Sequence, residues 1–169
     1  MEKPVEQLKA YQDWARDELR RAVDFWLTHG MDAQHGGVYT CLDREGNIYS
    51  TDKSVWMQGR CGWIFSYLCH VYGVRPEWMD AAKSCLDFME RFCINREAGN
   101  RMYFTVTEDG RPLRQRRYCF SEGFYALANA EYYAVTGDRE CLERARRAYE
   151  LLQESYRDTF LARSLEKMV

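Results

Sequence analysis

Trp56 and Arg60 stand four residues apart in the run Val55-Trp56-Met57-Gln58-Gly59-Arg60. On a helix, that spacing places both side chains on one face of the first turns. An indole beside a planar guanidinium with five donors suits a polyhydroxylated ligand, because the ring covers a C–H face while the cation engages oxygens. A stacked structural arginine has the same spacing, so the pair alone leaves both readings open. Tyr118, Phe120, Ser121, Glu122 and Phe124 form a second cluster of similar character. Glu122 falls near a helix start, which favours negative charge. A buried carboxylate there fixes Arg60 or Arg117 by a bidentate salt bridge, or serves a pocket indirectly through the arginine it holds.

Other chemistry finds less support. The basic run Arg111-Pro112-Leu113-Arg114-Gln115-Arg116-Arg117 resembles a nucleic-acid patch only in isolation, since arginines on a short strand alternate between its two sides. The reading favoured for it is a solvated strand with one or two paired arginines. His29, His35 and His70 have no metal-ligand spacing, and His35 before Gly36-Gly37 is placed to shape a turn. No metal or cofactor is expected, and GxGxxG, P-loop and GxSxG patterns are absent from the sequence. The charges nearly cancel, with 24 Lys and Arg against 26 Asp and Glu, so no broad field draws nucleic acid or an anionic membrane. Cys41, Cys61, Cys69, Cys85, Cys93, Cys119 and Cys141 are odd in number and include no CxxC, which suits buried thiols in a reducing, cytoplasmic setting. The chain shows neither a signal-peptide pattern at its start nor an apolar stretch of membrane-spanning length.

Each cluster needs a helix start to hold it, and the hydrophobic pattern supplies one for each. Apolar residues recurring at helical spacing predict helices over Val5–His29, from Val55 to about Gly73, over Glu77–Cys93, from Phe120 to Gly137, and from Arg139 to about Tyr156. Pro76 fits a first helical turn, Gly137 a helix stop and Asp138 a cap. Alternating residues around Arg44-Glu45-Gly46-Asn47 and Glu108-Asp109-Gly110-Arg111 predict two hairpins, each directly before an even-numbered helix. The order of hairpin then helix occurs twice, as expected of a repeat architecture in which units bury their apolar faces against neighbours. Gly59 is suited to close helix contact. With 169 residues, of which 15 % are aromatic, the chain is long enough for one domain with a real core.

Glu45-Gly46, the run Val55 to Arg60, Asp109-Gly110-Arg111-Pro112 and Phe120-Ser121-Glu122-Gly123-Phe124-Tyr125, taken in order, resemble the N-acylglucosamine 2-epimerase family, also called the renin-binding protein family. The resemblance covers roughly residues 5 to 155. It implies a mainly α protein, the N-terminal portion of an (α/α)6 barrel with short β-hairpins, with residues 1–169 forming a single incomplete toroid. It also implies interconversion of N-acetyl-D-glucosamine and N-acetyl-D-mannosamine by proton abstraction at C2, or the related mannose isomerase or cellobiose 2-epimerase activities. By the same resemblance, Arg60 is the catalytic residue and Trp56, Arg60, Phe120 and Glu122 hold an amino sugar or other monosaccharide, and the second cluster adds Tyr118 to that binding set. The family's acid and base histidines are expected beyond Val169. A complete barrel has about twelve helices, so five leave an open edge, to be met by further chain, a missing half-barrel or a second copy. A non-catalytic helical module that binds sugar or protein is the competing expectation.

Overall fold

The computed structural model describes residues 2–115 and 118–166, with side chains at 4–115 and 118–157. Five α-helices carry most of the chain: α1 (Glu2–Phe25), α2 (Val55–Tyr72), α3 (Pro76–Phe92), α4 (Phe120–Thr136) and α5 (Arg139–Glu166). Six short strands lie between them: β1 (Cys41–Leu42), β2 (Ile48–Ser50), β3 (Lys53–Ser54), β4 (Ile94–Asn95), β5 (Arg101–Val106) and β6 (Pro112–Gln115). The protein is therefore mainly α-helical with short strands. No described helix is long and apolar enough to cross a membrane.

The helix boundaries follow local chemistry. Pro76 opens α3, where its missing N–H costs nothing. Gly137 ends α4 in the left-handed region at φ 73°, and the Asp138 carboxylate accepts the Glu140 N–H at 3.0 Å to start α5. Two ends differ from the sequence pattern. Helix α5 runs ten residues past Tyr156, because no Gly or Pro interrupts its later turns. Helix α1 changes to a π turn over Trp26–Gly30, where a side chain on Gly30 would meet the Trp26 ring at 2.6 Å.

The first hairpin pairs β1 with β2, and the second pairs β5 with β6. Strand β5 also takes β3 and β4 along its other edge, with Lys53 opposite Val106 and Ile94 opposite Met102. One small sheet thus ties the residues just before α2 to the second hairpin. Below it, α2 packs on both α3 and α4, and α5 packs on α4. Val55, Phe65, Leu68, Trp78, Leu86 and Tyr125 are among the buried side chains of the core.

The apolar residues that mark helix α1 in the sequence are not all buried. Val5, Leu8, Tyr11 and Trp14 are exposed, with Leu8 at 68 % and Trp14 at 63 %, and burial begins only near Val23. The amphipathic pattern was present, but the first turns of α1 lie beyond the packed body formed by α2, α3 and α4.

Candidate functional site

The start of α2 places Trp56 and Arg60 one turn apart, and α4 lays Phe124 alongside them. The Arg60 guanidinium carbon lies 4.8 Å from the Trp56 ring centroid and 5.0 Å from that of Phe124, while the two rings are 5.9 Å apart. Arg60 is exposed, and among the described residues it makes neither a hydrogen bond nor an ion pair. The rings back the cation on one side, and its exposure leaves N–H donors available to an oxygen-rich ligand.

Gly59 makes this arrangement possible. A Cβ at that position would lie 2.7 Å from the Phe124 backbone carbon, so the absence of a side chain lets α2 and α4 come together there. Gln58 fixes the same turn from behind. Its buried amide donates to Val38 O at 2.6 Å and accepts from Val38 N–H at 2.8 Å, holding the loop after α1 as a neighbouring strand would. Cys61, next to Arg60, is no proton acceptor, because burial pushes its thiol up to about 12 against the opposing pull of the Arg60 charge.

Glu122 is placed elsewhere. Positions 122 and 124 are separated by about 200° around a helix, and the carboxylate turns toward β5 while Phe124 faces α2. Its Oε1 accepts from Arg101 Nε at 2.6 Å and from the Met102 N–H at 3.0 Å, so its arginine partner is Arg101 and not Arg60. Burial lowers the Arg101 pKa, but the Glu122 hydrogen bond and charge outweigh it and the net shift is upward. The other candidate, Arg117, lies outside the described residues. Tyr118 and Phe120 are both exposed and stack with centroids 6.2 Å apart, forming an aromatic pair ahead of α4. In the basic run, β6 is exposed throughout and Arg111 pairs with Asp109 at 3.2 Å.

The sequence reading missed the most buried charge. Lys53 is fully buried, and its ammonium donates to Asp32 Oδ2 at 2.6 Å, Gly36 O at 2.7 Å and Glu108 O at 3.0 Å. The same nitrogen sits 4.3 Å from the Phe88 ring centroid. All three ammonium donors are used, and together they join the loop after α1, the turn of the second hairpin and the entry to α2. Burial alone would raise the Asp32 pKa, but the Lys53 hydrogen bond and the N–H groups of His35 and Gln34 outweigh it and hold it below the usual 3.8. The available signal was thin: one lysine two residues before a helix and one aspartate ahead of a Gly-Gly turn.

None of the histidines contacts Arg60. His35 sits at the Asp32 turn, the His29 ring lies against Gly46, and His70 bonds Glu131 at 2.7 Å. Among the described residues, no His, Cys, Asp and Glu group is arranged to hold a metal ion.

Fold and site together define a helical protein in which strand pairs precede α2 and α4 and an aromatic-backed arginine faces outward from the junction of those helices. Residues 36–167 match the family model described as N-acylglucosamine 2-epimerase (GlcNAc 2-epimerase). The N-acylglucosamine 2-epimerase of Bos taurus is 41 % identical over 143 residues, which cover 82 % of this chain and 33 % of that protein. A cellobiose 2-epimerase of Ruminococcus albus is 29 % identical, with 86 % of this chain and 39 % of that one covered. Among solved structures, the cellobiose 2-epimerase from Bacillus thermoamylovorans B4167 superimposes with a TM-score of 0.77 at 24 % identity, covering 86 % of this chain and 37 % of that chain. The chain belongs to the N-acylglucosamine 2-epimerase family, and it spans about a third of the length of the curated relatives it matches.

Proposed function

We propose that this chain supplies the sugar-holding and charge-stabilising part of a 2-epimerase site that interconverts N-acetyl-D-glucosamine and N-acetyl-D-mannosamine. The observation that carries the reading is the Arg60 guanidinium, backed by Trp56 and Phe124 and without a carboxylate partner among the described residues. Epimerisation at C2 removes a proton beside the carbonyl of the opened sugar and returns one to the opposite face. The negative charge then spreads onto the carbonyl oxygen, and Arg60 is the group assigned to stabilise it. Arginine keeps its proton at neutral pH and is no base, so the acid and base pair is assigned to groups outside the described residues.

Trp56 supplies the platform, with Tyr118 and Phe120 as further stacking surfaces. Glu122 acts at a distance in this reading, as a positioning residue that holds Arg101 and β5. Acylglucosamine is favoured over cellobiose because the relatives named for it are 38–41 % identical, against 23–29 % for those named for cellobiose. Mannose isomerase activity remains the third substrate reading. The direct packing of α2 on α4, with α3 and α5 against them, supports a place as the first helices of an (α/α)6 barrel. That none of the cysteines forms a disulfide among the described residues supports a reducing cytoplasm.

The test is deuterium exchange at C2. The chain is joined to the remaining two-thirds of the bovine relative and incubated with N-acetyl-D-mannosamine in deuterated water. We expect label at C2, lost in Arg60→Ala. A folded fusion that binds the sugar yet incorporates no label would instead establish a non-catalytic carbohydrate-binding module.

A further inference from the structure

Helix α4 begins without a side-chain cap. Its N-cap is Cys119, whose thiol makes no capping hydrogen bond, where Ser, Thr, Asp or Asn would ordinarily supply an acceptor. Glu122 stands three residues on, the place from which a capping-box glutamate reaches back to the N-cap N–H. It is committed instead to β5, accepting from Arg101 Nε at 2.6 Å and from the Met102 N–H at 3.0 Å. Strand β5 therefore does for the start of α4 what a local cap does elsewhere.

Arg101 grips both ends of that first turn. While Nε donates to Glu122, Nη2 of the same guanidinium donates to Cys119 Sγ at 3.6 Å. A planar fork meets two acceptors in a fixed relation, which a single ammonium does not. The Glu122 side chain is 1 % exposed and that of Arg101 26 %, so this is no loose surface pair. What the turn carries is the aromatic pair. Tyr118 and Phe120 flank Cys119 directly, both are exposed, and their rings lie against one another. Phe120 and Phe124 are four residues apart on α4 and share a face, so Phe120 lies one turn along from the ring that backs Arg60. Exposed rings have little packing to fix them, and their place relative to Arg60 follows from where the first turn of α4 is set.

We propose that Arg101 is a positioning residue for the sugar site. By clasping Cys119 and Glu122 it sets Tyr118 and Phe120 as the aromatic continuation of the Arg60 surface, without touching the ligand itself. Its effect on sugar rests on the epimerase reading, whereas the clasp does not.

The first measurement therefore needs no sugar. In the 169-residue chain, NMR should show nuclear Overhauser contacts between the Tyr118 and Phe120 rings. Arg101→Lys should remove them while far-UV circular dichroism stays that of the parent. Cys119→Ala, which keeps the Arg101 pair with Glu122 and removes no helix cap, should do the same, and it decides the matter if Arg101→Lys does not fold. The second measurement uses the fusion with the bovine relative. Arg101→Lys should raise KM for N-acetyl-D-mannosamine about tenfold, the value of one or two aromatic contacts, with kcat within about twofold. A mere loss of folded protein would lower kcat and leave KM unchanged. With both rings removed by Tyr118→Ala and Phe120→Ala, Arg101→Lys should raise KM no further.

Ring contacts that persist in both variants overturn the proposal. So does an equal rise in KM with and without the rings, which would make Arg101 a group that meets the sugar directly. A parent fusion that neither binds nor labels the sugar ends the epimerase reading instead, and loss of the ring contacts in the two variants would still establish the clasp.

Discussion

At the scale of single residues, two cations define opposite roles. Arg60 is exposed and held only by ring contacts, so its removal should cost little stability, within about 0.5 kcal/mol as for most surface changes. Arg60→Ala should therefore unfold in urea almost as the parent does, yet lose sugar binding by calorimetry. Arg60→Lys should not restore it, because an ammonium lacks the planar fork that lies against Trp56 and Phe124. Lys53 is the reverse case. Replacing it by Met leaves the Asp32 carboxylate buried without its counter-ion, at a cost of about 3–5 kcal/mol. Its pH dependence has a definite sign. The folded-state pKa of Asp32 is depressed below 3.8, so the carboxylate's contribution is complete above that value and disappears as pH falls through the folded one. Urea midpoints should drop on acidification below about pH 4 in the parent, and Lys53→Met should show a smaller drop because less of that contribution remains. An equal acid slope in both proteins would refute the coupling.

At the scale of elements, the junction of α2 and α4 rests on a missing side chain. Alanine is favoured over glycine within a helix by about 1 kcal/mol, so propensity alone predicts that Gly59→Ala stabilises. The packing predicts the opposite, because a Cβ would sit 2.7 Å from the Phe124 backbone carbon and backbone cannot step aside cheaply. A net loss of about 1–3 kcal/mol is expected, the usual cost of overpacking, and thermal unfolding decides between the two. Sugar affinity should fall as well, since Phe124 moves with α4. This contact was legible in the sequence as a glycine suited to close helix approach, and so were the helix starts, which depend on prolines, caps and periodicity within a few residues. The pairing of Glu122 was not legible. Its partner Arg101 lies 21 residues earlier on a strand, and no local pattern distinguishes it from Arg60. Lys53 escaped for a related reason: lysine before a helix is ordinarily solvated, and its burial depends on Asp32, Gly36 and Glu108 arriving from three separate segments. Strands β3 and β4 are two residues each, too short for alternation to register, and exist because β5 offers them an edge.

At the scale of the whole molecule, the uncovered stripe on α1 has a consequence for solution behaviour. Leu8, Tyr11 and Trp14 follow one another at three-residue intervals and are each more than 60 % exposed, so they form a continuous apolar ridge. Ridges of this kind on a soluble protein mark contact surfaces, and in a purified sample the only polypeptide available to cover this one is a second copy of the same chain. Helix α1 also carries ion pairs beside the stripe, Asp17 with Arg20 at 3.0 Å and Glu18 with Arg21 at 2.6 Å, which keep its flanks polar and confine association to the stripe. Sedimentation velocity should therefore show a mass above that of the monomer that rises with concentration. Leu8→Glu combined with Trp14→Glu should return it to the monomer without changing the helical circular dichroism, because neither residue contributes to the packed core. A parent protein that stays monomeric at every concentration and binds no apolar dye would show that the α1 stripe is covered within the chain. In that case the ridge could not serve as the edge at which an (α/α)6 ring continues.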